Sequence, residues 1–304
     1  MSLRIDLKAS LRPNVNLSHY CTMQVGGPAR YFADPSTEEE LLELLDFARQ
    51  ENMPYFIMGK GSNLVFSDEG FDGLVISLIH FEQDKIIFDE EAFTLLAGSG
   101  IYLYRLVLAA RDRGLGGTEF LCNVPGTVGG AVMMNAGFSR FPGQFNEIGD
   151  LIEEVATLTS EGKKEILTRK DLQFSYRHSN LAGRIVLSAK LKLWKRKREE
   201  IQNEIRANFD YRNKRQDLRH PSSGSVFKNP GPGQPSAAKI IDELGLKGLK
   251  VGGAMVSERH ANYIINTGSA RSADVIDLIR KVQQTVFDAR KILLEPEVRI
   301  VEKP

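Results

Sequence analysis

An α+β chain in two domains is what the sequence predicts, and three observations carry that expectation. Apolar runs of strand length recur from residue 55 to residue 193, and amphipathic helical stripes lie among them. Between residues 195 and 219 the composition shifts to a charged, largely helical stretch with Ile201, Ile205 and Phe209 on one face, which reads as the connection to a second domain. At 304 residues, 42% hydrophobic and 26% charged, the chain is long enough for two cores of ordinary globular composition.

In chain order, Ser36-Thr37-Glu38-Glu39 is a capping-box pattern followed by Leu41, Leu44, Leu45 and Ala48, so a helix of about 14 residues precedes a buried strand at 55–58. Further strands are expected at 64–66, 74–78, 85–88 and 93–97, then a helix marked by Tyr102, Leu103, Leu106, Val107 and Ala110. Strands at 151–158, 164–167 and 184–193 follow. The last third holds a helix at 236–245, short strands at 254–256 and 263–265, a long helix capped by Ser272 with Val275, Ile279, Val282 and Val286 in one stripe, and a closing strand at 296–301. No internal repeat is visible.

Two glycine loops carry the chemistry. From Asn123 to Gly137 apolar residues alternate with Gly126, Gly129, Gly130 and Gly137 in a pattern that suits neither a helix nor a strand. Glycines there allow positive φ and close backbone approach, leaving N–H groups for an anion such as a pyrophosphate. The 55–58 strand runs into Gly59-Lys60-Gly61-Ser62-Asn63, and two such loops suggest a dinucleotide. The standard nucleotide motifs fail. Walker A needs a glycine where Pro54 stands, and Gly98-Ser99-Gly100 lacks the third glycine of a Rossmann fingerprint. A flavin held by another fold is the better reading.

Composition excludes several classes. Forty Lys and Arg against 39 Asp and Glu leave a net charge of +1, so no global field argues for nucleic acid or an anionic membrane. Cys21 and Cys122 stand too far apart in sequence for a Cys-x-x-Cys site, and the five histidines show no metal-ligand spacing, so no metal is expected. Neither a signal-peptide core nor a run approaching roughly 18 apolar residues is present, and a cytoplasmic location is expected. No coiled-coil seam demands assembly, and a monomer is expected.

Five segments in order resemble the UDP-N-acetylenolpyruvoylglucosamine reductase family: Gly59-Lys-Gly-Ser-Asn63; Val124-Pro-Gly-Thr-Val-Gly-Gly-Ala131 with Met134-Asn-Ala-Gly137; Phe174-Ser-Tyr-Arg-His-Ser179; Gly224-Ser-Val-Phe-Lys-Asn-Pro230; and Leu294-Glu-Pro-Glu-Val298. The resemblance is collinear and close to full length. It implies a two-part FAD-binding module of the vanillyl-alcohol-oxidase (PCMH) type over 1–195, divided near residue 78, and a C-terminal α/β substrate domain over 196–304 whose last strand returns toward the active site.

The activity implied is reduction of UDP-N-acetylglucosamine enolpyruvate to UDP-N-acetylmuramate, in which NADPH reduces FAD and hydride then reaches the terminal carbon of the enolpyruvyl ether. Charge builds on the neighbouring carbon and its carboxylate and needs cationic partners and a proton. The resemblance assigns the carboxylate to Arg177, whose guanidinium can grip it bidentately. It assigns the proton to Ser225 and support of the enolate to Glu297, with Glu295 as the alternative on the same strand face. It places Gly59, Lys60, Gly61, Ser62, Asn63, Leu64, Pro125, Gly126, Thr127, Gly129, Gly130, Asn135, Ala136 and Gly137 at the cofactor. Tyr176, Lys228, Asn229 and Arg215, with Lys214 as the alternative to Arg215, fall at the substrate.

The chain departs from the family in places. Phe138-Ser139-Arg140 stands where Ala-Tyr-Gly is usual, and Asp217 and Arg219-His220 replace a commoner proline and an acidic-aromatic pair. The short segment between Ser179 and Ile185 lacks the tyrosine-bearing insertion of one subclass, which implies a more open sugar-nucleotide site. Two other functions are weighed against the reductase: a flavin-dependent oxidase of the same superfamily, and a non-catalytic flavin or nucleotide-sugar binding protein. The Gly224-to-Asn229 segment opposes the first, and retention of Arg177, Ser225 and Glu297 together opposes the second.

Overall fold

The computed structural model describes residues 10–141, 144–231 and 233–304. Residues 1–9, where a signal-peptide core would have to begin, lie outside the described residues. The chain forms two compact units, one built mainly from Phe32–Lys60 and Val75–Arg212, the other from Pro13–Tyr31, Gly61–Leu74 and Asn213–Pro304.

The first unit is organised by a five-stranded antiparallel sheet in the order Lys164–Thr168, Ile152–Leu158, Ile185–Lys192, Thr94–Gly98, Ile86–Asp89. Its apolar residues join one core with helix α2 (Leu103–Asp112, numbered after α1 below), where Leu103, Leu106, Val107 and Ala110 are buried at helical spacing. Helix α1 (Glu38–Gln50) buries Leu41, Leu44, Leu45 and Ala48 as expected. Its cap is displaced by one residue: Glu40 N–H donates to Thr37 Oγ1 at 3.2 Å, and Ser36 N–H donates to Glu40 Oε2 at 2.6 Å. The charged connection forms α4 (Arg198–Arg215), shorter than 195–219 because Trp194–Lys195 pair with Leu115–Gly116 instead.

The glycine segment departs from expectation. It contains a short helix, α3 (Val128–Met133), with Val128, Gly129, Ala131 and Val132 buried. Gly126, Gly129, Gly130 and Gly137 all have ordinary φ, so conformational freedom does not explain them. Close approach explains Gly129, where a Cβ would come within 2.8 Å of Ser99 Cβ.

The second unit carries a four-stranded antiparallel sheet, in the order Ser222–Ser225, Tyr263–Asn266, Ala254–Val256, Lys250–Val251. Helices α5 (Ala237–Glu243) and α6 (Ser272–Arg290) pack in its core. Leu64–Phe66 pairs in parallel with Arg299–Val301. Ser272 is the first residue of α6 rather than its cap, and the Asp68 carboxylate accepts the Ser272 and Ala273 N–H groups at 2.8 and 3.0 Å.

These units differ from the consecutive 1–195 and 196–304 domains, and from a division near residue 78. Met23, Val25 and Val65 are buried at 2% exposure or less in the same cluster as Val226, Ile264 and Val275, so two N-terminal segments complete the C-terminal core. The closing strand is shorter than 296–301. Glu297 and Val298 N–H both point to Val226 O, at 2.7 and 3.5 Å, a bulge that delays regular pairing until Arg299. Among the described residues, no helix is long and apolar enough to cross a membrane, and no cluster of His, Cys, Asp or Glu could hold a metal.

Candidate active site

In the first unit, backbone bonds lace the glycine segment to the 99–103 turn. Gly129 N–H donates to Ser99 O at 2.9 Å, Val128 N–H to Ile101 O at 2.9 Å, and Leu103 N–H to Gly126 O at 3.1 Å. Gly59 lies against the same segment, where a Cβ would meet Thr127 Oγ1 at 2.5 Å. Lys60, at the surface, sets Nζ 5.1 Å from the Tyr102 ring centroid. Gly59, Lys60, Gly126, Thr127, Gly129 and Gly130 therefore form one cradle. Pro125 and Gly130 are exposed, and a Cβ at Gly130 would meet nothing closer than 3.8 Å.

Ser99 Oγ and both amide atoms of Asn123 are buried with no hydrogen-bond partner among the described residues. Buried polar atoms are normally paired, so groups left over beside a glycine cradle suit a dinucleotide with many donors and acceptors. Sequence reasoning missed both residues. Ser99 lies inside the Gly98-Ser99-Gly100 run that fails as a Rossmann motif; Gly98 and Gly100 serve close packing against Glu82, Leu78 and Phe81 backbone oxygens instead.

Arg177 lies in the same unit. Phe174–Ser175 and His178–Ser179 pair antiparallel, leaving Tyr176 and Arg177 as a two-residue turn. Arg177 takes φ +56°, a left-handed conformation that costs a non-glycine residue free energy. Its Nη2 donates to Gly137 O at 3.2 Å, and its guanidinium lies 5.0 Å from the Tyr176 ring centroid and 5.3 Å from that of Phe145. Ser179 Oγ donates to Met133 O at 2.8 Å, tying the turn to the end of α3.

Asn135, expected at the cofactor, makes internal bonds. It is 1% exposed at φ +43°, its Nδ2 donates to Glu147 Oε2 at 2.7 Å and Ser175 O at 3.0 Å, and its Oδ1 accepts Gly149 N–H at 3.0 Å. Burial raises the Glu147 carboxyl above its usual range, and the Asn135 bond and the Arg177 charge pull it back. Ala136 N–H donates to Ala131 O, and Gly137 begins the strand Gly137–Phe141, which pairs with Gln144–Glu147. Glu147 carries no sequence motif that would single it out.

The second unit holds the other half of the expected set. Gly224 takes φ +76°, and Ser225, half-buried, pairs with Tyr263. The next residues are ladder-bound: Val226 N–H donates to Asn262 O at 2.9 Å, and Asn262 pairs its amide with both Phe227 backbone groups at 2.8 and 3.0 Å. Glu297 N–H donates to Val226 O, which brings the Glu297 backbone alongside the residue after Ser225. Glu295 is engaged elsewhere, its Oε1 2.6 Å from Lys228 Nζ with its side chain 68% exposed. Gly61 O accepts the Thr22 N–H at 3.2 Å, Asn63 Nδ2 donates to Glu297 O at 3.0 Å, and Leu64 pairs with Arg299. Asn63 thus anchors the Glu297 segment, while Ser62 beside it is half-buried.

Asn229 Oδ1 accepts Ala237 N–H at 3.1 Å at the start of α5, and Arg215 is exposed at the end of α4. His260 is pushed down to about 4, by burial first and then by the charges of Lys247 and Arg215. Cys122 is pushed up to about 11 by burial and Cys21 is raised for the same reason, so burial favours the neutral thiol at both free cysteines.

Residues 29–167 match the FAD binding domain family, and residues 216–301 match the C-terminal domain of UDP-N-acetylenolpyruvoylglucosamine reductase. The chain is 42% identical over 300 residues to the UDP-N-acetylenolpyruvoylglucosamine reductase of Moorella thermoacetica, covering 98% of this chain and 95% of that protein. It is 40% identical over 296 residues to the enzyme of that name from Synechocystis sp., covering 96% and 90%. The crystal structure of the Thermus caldophilus reductase matches with a TM-score of 0.79 at 39% identity, covering 96% of this chain and 99% of that one. The expected α+β fold class, an FAD-binding module followed by a reductase-type C-terminal domain, is borne out by these matches.

Proposed function

The chain belongs to the UDP-N-acetylenolpyruvoylglucosamine reductase family, and from that premise we propose how its own residues carry out the reduction of UDP-N-acetylglucosamine enolpyruvate to UDP-N-acetylmuramate in peptidoglycan precursor synthesis. The observation that carries the reading is the Tyr176–Arg177 turn, a strained non-glycine conformation held from several sides, which fixes one guanidinium beside two aromatic rings.

FAD, bound by the N-terminal module, supplies a hydride acceptor for NADPH and a hydride donor for the enolpyruvyl double bond. Gly59, Lys60, Pro125, Gly126, Thr127, Gly129, Gly130, Ala136 and Gly137 would hold it, joined by Ser99 and Asn123, whose buried polar atoms suit its hydroxyl, ring or phosphate groups. Gly61, Ser62, Asn63 and Leu64 remain in this cofactor proposal as the continuation of the Gly59 loop.

Arg177 binds the substrate carboxylate and offsets the negative charge that grows as the double bond is reduced, remaining protonated throughout. Ser225 Oγ delivers its proton to the carbon bearing that carboxylate and recovers one from solvent. Glu297 supports the enolate, its backbone lying alongside Val226 next to Ser225, with Glu295 kept as the alternative. Tyr176, Arg215, Lys228 and Asn229 contact the sugar nucleotide. The same reading makes the enzyme a cytoplasmic monomer that acts without nucleic acid.

NADPH oxidation by the purified holoenzyme, with and without UDP-N-acetylglucosamine enolpyruvate, tests this in wild type and Ser225→Ala. Turnover that requires the substrate in wild type, and a Ser225→Ala flavin that bleaches with NADPH but is not reoxidised by substrate, is the expected result. Rapid reoxidation by oxygen alone, unaffected by the enolpyruvate, would overturn it in favour of an oxidase.

A further inference from the structure

We infer that Glu147 is a positioning residue for the Arg177 guanidinium and that Asn135 is the bracket fixing both; this rests on the reading of Arg177 as the group that binds the substrate carboxylate. Three contacts converge. Glu147 is the register partner of Gly137, and the carbonyl of Gly137 is the acceptor of Arg177 Nη2. The Asn135 amide nitrogen donates at once to the Glu147 carboxylate and to the carbonyl of Ser175, two residues before Arg177. Asn135 Oδ1 then fixes Gly149, two residues after Glu147.

The physical need is specific. A guanidinium on a two-residue turn has several rotatable bonds, and the rings of Tyr176 and Phe145 restrain its plane without setting its rotation within that plane. The Gly137 carbonyl sets it through hydrogen-bond direction, and the Glu147 carboxylate acts on it through charge. The charged groups acting on Glu147 are Arg177, which favours its ionised form, and Asp150, which opposes it. Asp150 also accepts the Glu147 N–H at 3.3 Å. Burial leaves Glu147 less willing to ionise than a surface carboxylate, so it titrates above the ordinary range and its hold on Arg177 is lost as pH falls through that point.

The test uses the holoenzyme in four forms: Glu147→Gln, Glu147→Asp, Arg177→Lys and the Glu147→Gln/Arg177→Lys double variant. The readouts are kcat, KM for the enolpyruvate, the pH profile, bound FAD by absorbance, and the Kd of UDP-N-acetylmuramate by calorimetry. Glu147→Gln should keep its FAD, lower kcat by about tenfold or more, weaken the product and flatten the acid limb of the pH profile. Glu147→Asp should restore that limb in part, and provides the same readouts if the Gln variant folds poorly. The double variant should be no worse than Arg177→Lys alone. Multiplying losses in the double variant, or loss of FAD with unchanged turnover per bound flavin, would overturn the proposal. If Arg177→Lys itself keeps wild-type kcat, KM and product affinity, the reading of Arg177 fails and the proposal fails with it.

Discussion

Two buried asparagines, one in each unit, hold the candidate residues in different ways. Asn135 ties its own segment to two others, through Glu147 and Gly149 on one and Ser175 on the other, and the strained Arg177 turn hangs on those bonds. The Asn262 side chain pairs with a single residue, Phe227, inside a segment already laddered at Val226, Lys228 and Glu297. One arrangement concentrates placement in a side chain, and the other distributes it over the main chain. The first should therefore fail abruptly on substitution, while the second should lose stability before it loses geometry.

The largest break in that comparison comes from the reacting groups themselves. Arg177→Ala should lower kcat/KM by about 10²–10³ with FAD retained, since a charged donor to developing charge is removed. Steady-state kinetics on the flavin-loaded variant checks this; a loss confined to FAD content would assign Arg177 to the cofactor instead. Next comes the asparagine pair. Asn135→Ala, leaving three groups on two segments without their partner, should destabilise the protein by about 3 kcal/mol and lower kcat as well. Asn262→Ala should cost about 2 kcal/mol with kcat within about twofold of wild type. Denaturation and kinetics on both decide the matter, and equal kcat losses would erase the distinction drawn here.

His260 sharpens the comparison through pH. Its folded-state value, about 4, lies below the unfolded value near 6.5, so the unfolded chain binds more protons between them. Stability should fall as pH drops from 6.5 toward 4, by about 2 kcal/mol after allowance for its partial exposure, and change little from this source below 4. Melting temperatures of wild type and His260→Gln across that window should converge at acid pH; parallel curves would remove the effect. The smallest effects belong to the adjacent glycines. Gly129→Ala should destabilise by about 1–3 kcal/mol through the approach to Ser99, whereas Gly130→Ala should add up to about 1 kcal/mol of stability yet weaken FAD. Unchanged flavin affinity in Gly130→Ala would remove Gly130 from the cradle.

Local patterns in the sequence anticipate most elements of the fold. The stripe of Leu41, Leu44, Leu45 and Ala48 and that of Val275, Ile279, Val282 and Val286 each predict a helix whose buried face the structure contains. What local pattern misses is set by distant partners. Asp68 caps α6 from some two hundred positions upstream, and α3 carries glycine at position 129 because Ser99 leaves no room there for a side chain. In the candidate site, the resemblance names Arg177, Ser225 and Glu297 through their motifs. Glu147 and Asn262 have no motif, since their meaning lies in the carbonyls and amides they meet across the chain.

The interleaved second unit has a consequence for synthesis on the ribosome. Met23, Val25 and Val65 emerge well before Val226, Ile264 and Val275 exist to cover them. Cores closed by contacts this distant in sequence form slowly, and the nascent chain must carry three uncovered apolar side chains until translation nears its end. A fragment beginning at Asn213 would be born without those side chains, so cutting the gene at that boundary should yield an aggregating polypeptide rather than a free-standing domain.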